Sequence, residues 1–108
     1  MLLLITGATG KVGTALIAGI AADPKWHGTP IRALCHNRLP APSAQVEVMH
    51  GSISDRADVA RAMVGVTHVI HLATCKEIPE LVMDVTVKGL FWLLEAFRTS
   101  PTAQQFIL

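Results

Sequence analysis

The stretch Leu2-Leu3-Leu4-Ile5-Thr6-Gly7-Ala8-Thr9-Gly10-Lys11-Val12-Gly13 decides the fold. It begins as a continuous apolar run that stops at a glycine, the pattern of a strand buried on both faces of a parallel sheet. Over residues 11–22, Val12, Ala15, Leu16, Gly19 and Ile20 fall mostly at three- and four-residue steps, which predicts a helix with one packed face, ended by Asp23-Pro24. Between strand and helix each glycine has a task. Gly7 permits a tight turn, Gly10 lets phosphates approach the backbone, and Gly13 lets the helix pack close to the strand. The free N–H groups and positive dipole end of the helix then face an anion, so the motif reads as the pyrophosphate turn of a dinucleotide site. The alternative is a glycine turn with a purely structural role.

The rest of the chain repeats the alternation of short apolar runs with amphipathic stretches. Ile31–Cys35 reads as a second strand, residues 39–43 with two prolines as a loop, and residues 45–49 as a third strand. Asp55 is placed to cap a helix running to about residue 63, Gly65 closes it, and residues 67–72 form a fourth strand. Residues 78–97 carry the longest helical pattern, with Val82, Val85, Gly89, Trp92, Leu93 and Ala96 in a stripe, before residues 104–108 start a fifth strand. Trp92 and Phe97 read as packing residues. Right-handed crossovers between parallel strands predict a Rossmann-like, doubly wound α/β sheet of order 3-2-1-4-5, with residues 1–108 as one nucleotide-binding domain.

Composition agrees with a buried core and removes several function classes. The 108 residues are 51% apolar and 16% charged, and 9 Lys plus Arg against 8 Asp plus Glu leave a net charge of +1. Such a chain has no field to gather nucleic acid or an anionic membrane surface. Cys35 and Cys75 lie in no metal-binding spacing and read as reduced thiols, and the opening apolar run is too short for a signal peptide or a membrane span. The expected compartment is the cytoplasm. Histidines 27, 36, 50, 68 and 71 form neither HxH nor HxxxH, and His68 and His71 would face opposite sides of a strand, so all five read as structural or surface residues.

The whole chain resembles the N-terminal part of an NAD(P)-dependent epimerase/dehydratase, from the extended and atypical branches of the short-chain dehydrogenase/reductase superfamily. Residues 6–13 match that family's TGxxGxxG loop. His71-Leu72-Ala73-Thr74 resembles the HLAA segment that ends its fourth strand beside the cofactor, and Val87-Lys88-Gly89 with Leu93-Leu94-Glu95-Ala96 resembles its NVxGTxNLLEA helix. The resemblance implies a nicotinamide dinucleotide held by Gly7, Thr9, Gly10, Lys11, Val12 and Gly13, and by Leu72, Ala73 and Thr74. It also implies a small-molecule substrate for a parent chain and a homodimer to which the long helix contributes.

Departures from the family pattern shape the expectation further. Where many NAD-preferring members place an acidic residue for the adenosine ribose, this chain has Cys35, followed by His36-Asn37-Arg38. A carboxylate there would repel a 2′-phosphate, whereas Arg38 and His36 offer it charge-assisted hydrogen bonds, so NADP is expected over NAD. The family's Gly-Asp pair after the third strand is Gly51-Ser52, which leaves adenine to Ser52 and the backbone of Ile53. The family asparagine of the long helix falls on Thr86. No catalytic residue is assigned. The family's YxxxK pair is missing from a sequence with 0 tyrosines, and the serine or threonine expected after the fifth strand is missing too. The leading expectation is therefore the cofactor-binding portion of an oxidoreductase or nucleotide-sugar epimerase/dehydratase. The alternatives are a non-catalytic NADP-binding sensor and a scaffold with a vestigial glycine loop.

Overall fold

Five parallel strands form one sheet in the order β3-β2-β1-β4-β5 in the computed structural model, which describes residues 1–73 and 79–108. They are β1 (Leu3–Thr6), β2 (Ile31–Cys35), β3 (Val46–His50), β4 (His68–His71) and β5 (Gln105–Ile107). The expected order is the observed one, and strand ends differ from expectation by at most one residue. All four residues of β1 are buried, because β1 is the central strand and both of its faces are covered. In register, Thr6 stands beside Leu34 on one side and His71 on the other.

The alternation of side chains along the strands divides the core into two layers. Leu3, Ile5, Ile31, Ala33 and Cys35 face helix α1 (Lys11–Ala22). Leu4, Leu34 and Val69 face α2 (Arg56–Ala62) and α4 (Gly89–Thr99), meeting Val59, Ala62, Met63 and Leu93. Each of the fully buried side chains Leu4 and Ile5 would cost about 2 to 5 kcal/mol on truncation to alanine.

Two features correct the sequence expectation. The packed face of α1 consists of Gly13, Leu16, Ile17 and Ile20, whereas Val12, Ala15 and Gly19 are exposed. Gly13 is drawn into the core because only a residue without a side chain fits beneath the Gly7 turn. A Cβ there would overlap the Gly7 carbonyl oxygen and come within 2.8 Å of Ala8 Cα.

The single helix expected over residues 78–97 is instead three segments, with residue 78 outside the described residues. A short α3 (Pro79–Leu81) leads into a π-helical segment, Val82–Lys88, and then into α4. The stripe Val82, Val85, Gly89 steps by three and four, which suits the wider π turn as well as the α turn, so spacing alone could not distinguish them. At the junction Gly89 lies against Ile53. A Cβ at 89 would sit 2.7 Å from Ile53 Cδ1, so the glycine is what allows α4 to reach the sheet.

Arg32 ties the second layer together at the other end of the sheet. One guanidinium nitrogen donates to the carbonyls of Ala62 and Val64, both at 2.7 Å, and Nε reaches Glu47 at 3.1 Å. These bonds satisfy carbonyls that the end of α2 leaves without intrahelical partners.

Candidate functional site

All strands end on the same side of the sheet, and there the chain leaves β1 and β4 toward opposite faces. α1 covers one face and the helices of residues 79–99 cover the other. Such a divergence opens a crevice at the carboxyl ends of the strands. A cleft of about 400 Å³ occupies it.

The floor of the cleft is the glycine turn. Gly7 has φ of 71°, a left-handed conformation that other residues adopt only with strain, and a Cβ on it would lie 2.7 Å from Ala73 N. The turn is closed by Gly10 N donating to Gly7 O at 3.2 Å, and α1 begins when Thr14 N donates to Gly10 O at 2.9 Å. Among the described residues no side chain caps that helix start, and its first turn contains no acidic residue. Its leading amides and positive dipole end are thus left for an anion.

Gly10 provides the test of fit. The glycines at 7 and 13 are demanded by packing, but among the described residues a Cβ on Gly10 would meet only Gly7 O, at 3.5 Å, and φ of −75° suits any residue. Nothing in the described part of the fold requires glycine there. A ligand that must approach the backbone does, and a pyrophosphate is such a ligand.

The walls come from the other strand ends. β2 contributes Leu34 and Cys35, followed by the exposed His36, Asn37 and Arg38. Cys35 is 4% exposed, and burial pushes its thiol pKa up, so the position expected to hold a carboxylate is neutral at physiological pH. Among the described residues no hydrogen bond or ion pair engages Arg38 or His36. After β3, Gly51, Ser52 and Ile53 line the cleft, and Gly51 N donates to Cys35 O at 3.0 Å. After β4, Leu72 and Ala73 line it, and Val85 of the π-helical segment reaches it from the far side.

Of the expected cofactor residues, the structure gathers Gly7, Thr9, Gly10, His36, Arg38, Ser52, Ile53, Leu72 and Ala73 around this one cleft. Lys11, Val12 and Gly13 do not line it. Lys11 and Val12 are exposed at the helix start, and Gly13 lies beneath the turn. Thr74 lies outside the described residues. The Ser52 hydroxyl is 2.7 Å from Ser54 Oγ and accepts from Ser54 N at 3.2 Å, while the Ser52 amide donates to Asp58 Oδ2 at 3.0 Å.

Asp58 is therefore a support that the sequence reading missed. Asp55 caps α2 as expected, accepting from Asp58 N at 3.1 Å, and Asp58 turns back to hold the loop after β3. Gly51 leaves the room for it, since a Cβ there would stand 2.9 Å from Asp58 Cγ. A second groove, about 550 Å³, lies between α2 and α4. It runs beside the segments that precede β4 and β5, away from the strand ends that carry the glycine turn, and its Arg98 is paired with Glu95 at 2.9 Å.

Comparison with known proteins places this geometry. A sequence model of the NAD dependent epimerase/dehydratase family matches residues 3–108. The chain belongs to that family. A relative, the NAD-dependent glucose-6-phosphate dehydrogenase of Haloferax volcanii, is 36% identical over 70 residues, which is 65% of this chain and 27% of the relative. A solved structure of a mutated uronate dehydrogenase superposes with a TM-score of 0.82 at 25% identity, covering 97% of this chain and 38% of that one. The UDP-glucose 4-epimerase of Thermus thermophilus, solved in complex with NAD, gives a TM-score of 0.79 at 25% identity, covering 97% of this chain and 36% of that one. The chain thus spans between about a quarter and two fifths of the length of these relatives. Among its described residues no helix is long and apolar enough to cross a membrane.

Proposed function

We propose that residues 1–108 are the dinucleotide-binding domain of a nicotinamide-dependent oxidoreductase or nucleotide-sugar epimerase/dehydratase. The observation that carries this reading is Gly10, a glycine that the described residues do not need for packing, placed over an open cleft at a helix start that none of them caps. Family membership and relatives named for NAD support it. Binding of NADPH or NADH by the wild-type chain, lost in a folded Gly10→Val variant, is the direct test. Unchanged affinity in that variant would remove the assigned site.

In this reading the backbone of residues 7–13 holds the pyrophosphate, the segments after β2 and β3 hold the adenosine half, and Leu72, Ala73 and Thr74 flank the nicotinamide half. The nicotinamide would supply hydride transfer when bound. This chain's share is to bind and orient the dinucleotide, and no residue of it is assigned to proton transfer or to substrate. A small-molecule substrate belongs to the parent activity.

NADP is the cofactor we propose, although the relatives are named for NAD. The support is local. A neutral, buried Cys35 stands where a carboxylate would exclude a 2′-phosphate, and the unengaged Arg38 and His36 stand on the same wall. Titration of NADPH against NADH decides this point. A cytoplasmic setting and a homodimer complete the proposal. The homodimer is supported by a stripe of exposed apolar side chains on residues 79–99, namely Met83, Val87, Phe91 and Leu94, which follow each other at steps of four, four and three.

A further inference from the structure

Thr6 ends β1 and His71 ends β4; they are register neighbours, they are buried, and the reading above gives neither a task. Thr6 Oγ1 lies 2.7 Å from His71 Nδ1, 3.1 Å from Leu72 N and 3.2 Å from Ala73 N. A hydroxyl has two acceptor lone pairs and one hydrogen. The two amides can only donate, so they take the lone pairs and the hydrogen is left for His71 Nδ1. With both amides on the hydroxyl, that nitrogen accepts and the ring hydrogen sits on Nε2. Leu72 N has a second acceptor in Thr6 O at 3.2 Å, so the Ala73 amide is the group that depends on the hydroxyl.

The Leu72–Ala73 peptide is also what the Gly7 turn rests on, since a Cβ on Gly7 would meet Leu72 C and Ala73 N, both at 2.7 Å. Resting on the dinucleotide reading, we propose that Thr6 and His71 are positioning residues for the cofactor. The hydroxyl, aimed by an imidazole that is bare at Nδ1, holds the β4 wall against the glycine turn. A proton on Nδ1 would offer Thr6 a third donor and strand its hydrogen, so the wall loosens when His71 is protonated.

The surroundings of His71 favour the neutral ring. On its face of the sheet β1 supplies Thr6, β2 supplies Leu34, and β5 supplies Phe106 with its ring centroid 6.2 Å away. The helices covering that layer supply Val85, Leu93 and Phe97. Among the described residues none of these is charged, and burial alone lowers the His71 pKa. Cofactor affinity should therefore be level above about pH 6.5, the ordinary histidine value, and fall as the pH drops below it.

The test has two arms on the full chain. In the first, ¹⁵N shifts of His71 at neutral pH report which ring nitrogen carries hydrogen. The proposal expects Nε2, and a hydrogen on Nδ1 overturns it even if no cofactor binds, so its failure is separate from that of the dinucleotide reading. In the second, affinity for NADPH and NADH is followed from pH 8 to pH 5. His71→Asn places an acceptor oxygen where Nδ1 was and should keep the neutral-pH affinity while flattening the acid limb. Thr6→Val should weaken binding about tenfold, with Thr6→Ser restoring it. An acid limb identical in wild type and His71→Asn overturns the proposal, as does full affinity in a folded Thr6→Val.

Discussion

The two ends of the proposed dinucleotide site are built differently. The phosphate end, residues 7–13, is a backbone structure: Gly7 is held by its positive φ and the nearness of Ala73, Gly13 by the Gly7 carbonyl, and Gly10 by neither. The adenosine end is a side-chain structure, in which Cys35 ends β2 and His36, Arg38 and Ser52 stand on the loops that leave β2 and β3. Steric requirements of the backbone admit few residue types, and so the phosphate end keeps the family motif intact. Side chains on loop tips can be exchanged without disturbing the sheet, and this chain departs from the family pattern at that end.

The sharpest way to break this contrast is to substitute within the phosphate end itself. Gly13→Val should cost about 3 kcal/mol or more, because its Cβ would overlap Gly7 O and crowd Ala8, both of them backbone that cannot swing away. Thermal or urea unfolding reads this directly, and a variant as stable as wild type would show that the turn is soft. Gly10→Val should separate binding from folding. With only Gly7 O within 4 Å of the new Cβ among the described residues, stability should change little, while dinucleotide affinity should fall by about a hundredfold if a pyrophosphate approaches that atom. Loss of folding in this variant would mean that Gly10 is structural after all.

Much of this division could be read from residue types. Apolar runs that stop at glycine or before a polar turn mark the strands, and right-handed crossovers then leave little freedom in their order. What could not be read depends on partners distant in sequence or on a choice between similar periods. Nothing near Asp58 shows that its carboxylate turns back to the Ser52 amide. Nothing in a lone histidine shows that the hydroxyl of Thr6, 65 positions away, will lie within hydrogen-bond distance of it. The π-helical turn at Val82–Lys88 hides within three- and four-residue steps, and Gly13 replaces Val12 on the packed face of α1 because a close approach outweighs hydrophobicity. Apolar periodicity reports which face is greasy but not where two backbones touch.

At the adenosine end the expected effects are smaller and selective. Arg38→Ala should weaken NADPH binding about tenfold and leave NADH within about twofold, the difference being the charge-assisted bonds to a 2′-phosphate. Equal losses for both cofactors would make Arg38 a general attractor of anions, and no loss would return it to solvent. Phe91→Glu tests a surface outside the contrast. It should abolish concentration-dependent dimerisation in sedimentation while leaving both affinities unchanged, since Phe91 is 53% exposed and lines no part of the cleft.

Ser52→Ala is the finest probe of the same end. Its hydroxyl already sits 2.7 Å from Ser54 Oγ and accepts from Ser54 N, so removing it breaks a local turn contact before any contact with adenine. The amide of residue 52 would remain held by Asp58 Oδ2. If that carboxylate, acting through the backbone, shapes the adenine wall, Ser52→Ala should change affinity by no more than about twofold, whereas Asp58→Ala, which frees the amide and unseats the loop, should cost several-fold more. The reverse ranking would place the adenine contact on the Ser52 hydroxyl and make the adenosine end a direct replacement of the family carboxylate by a neutral acceptor.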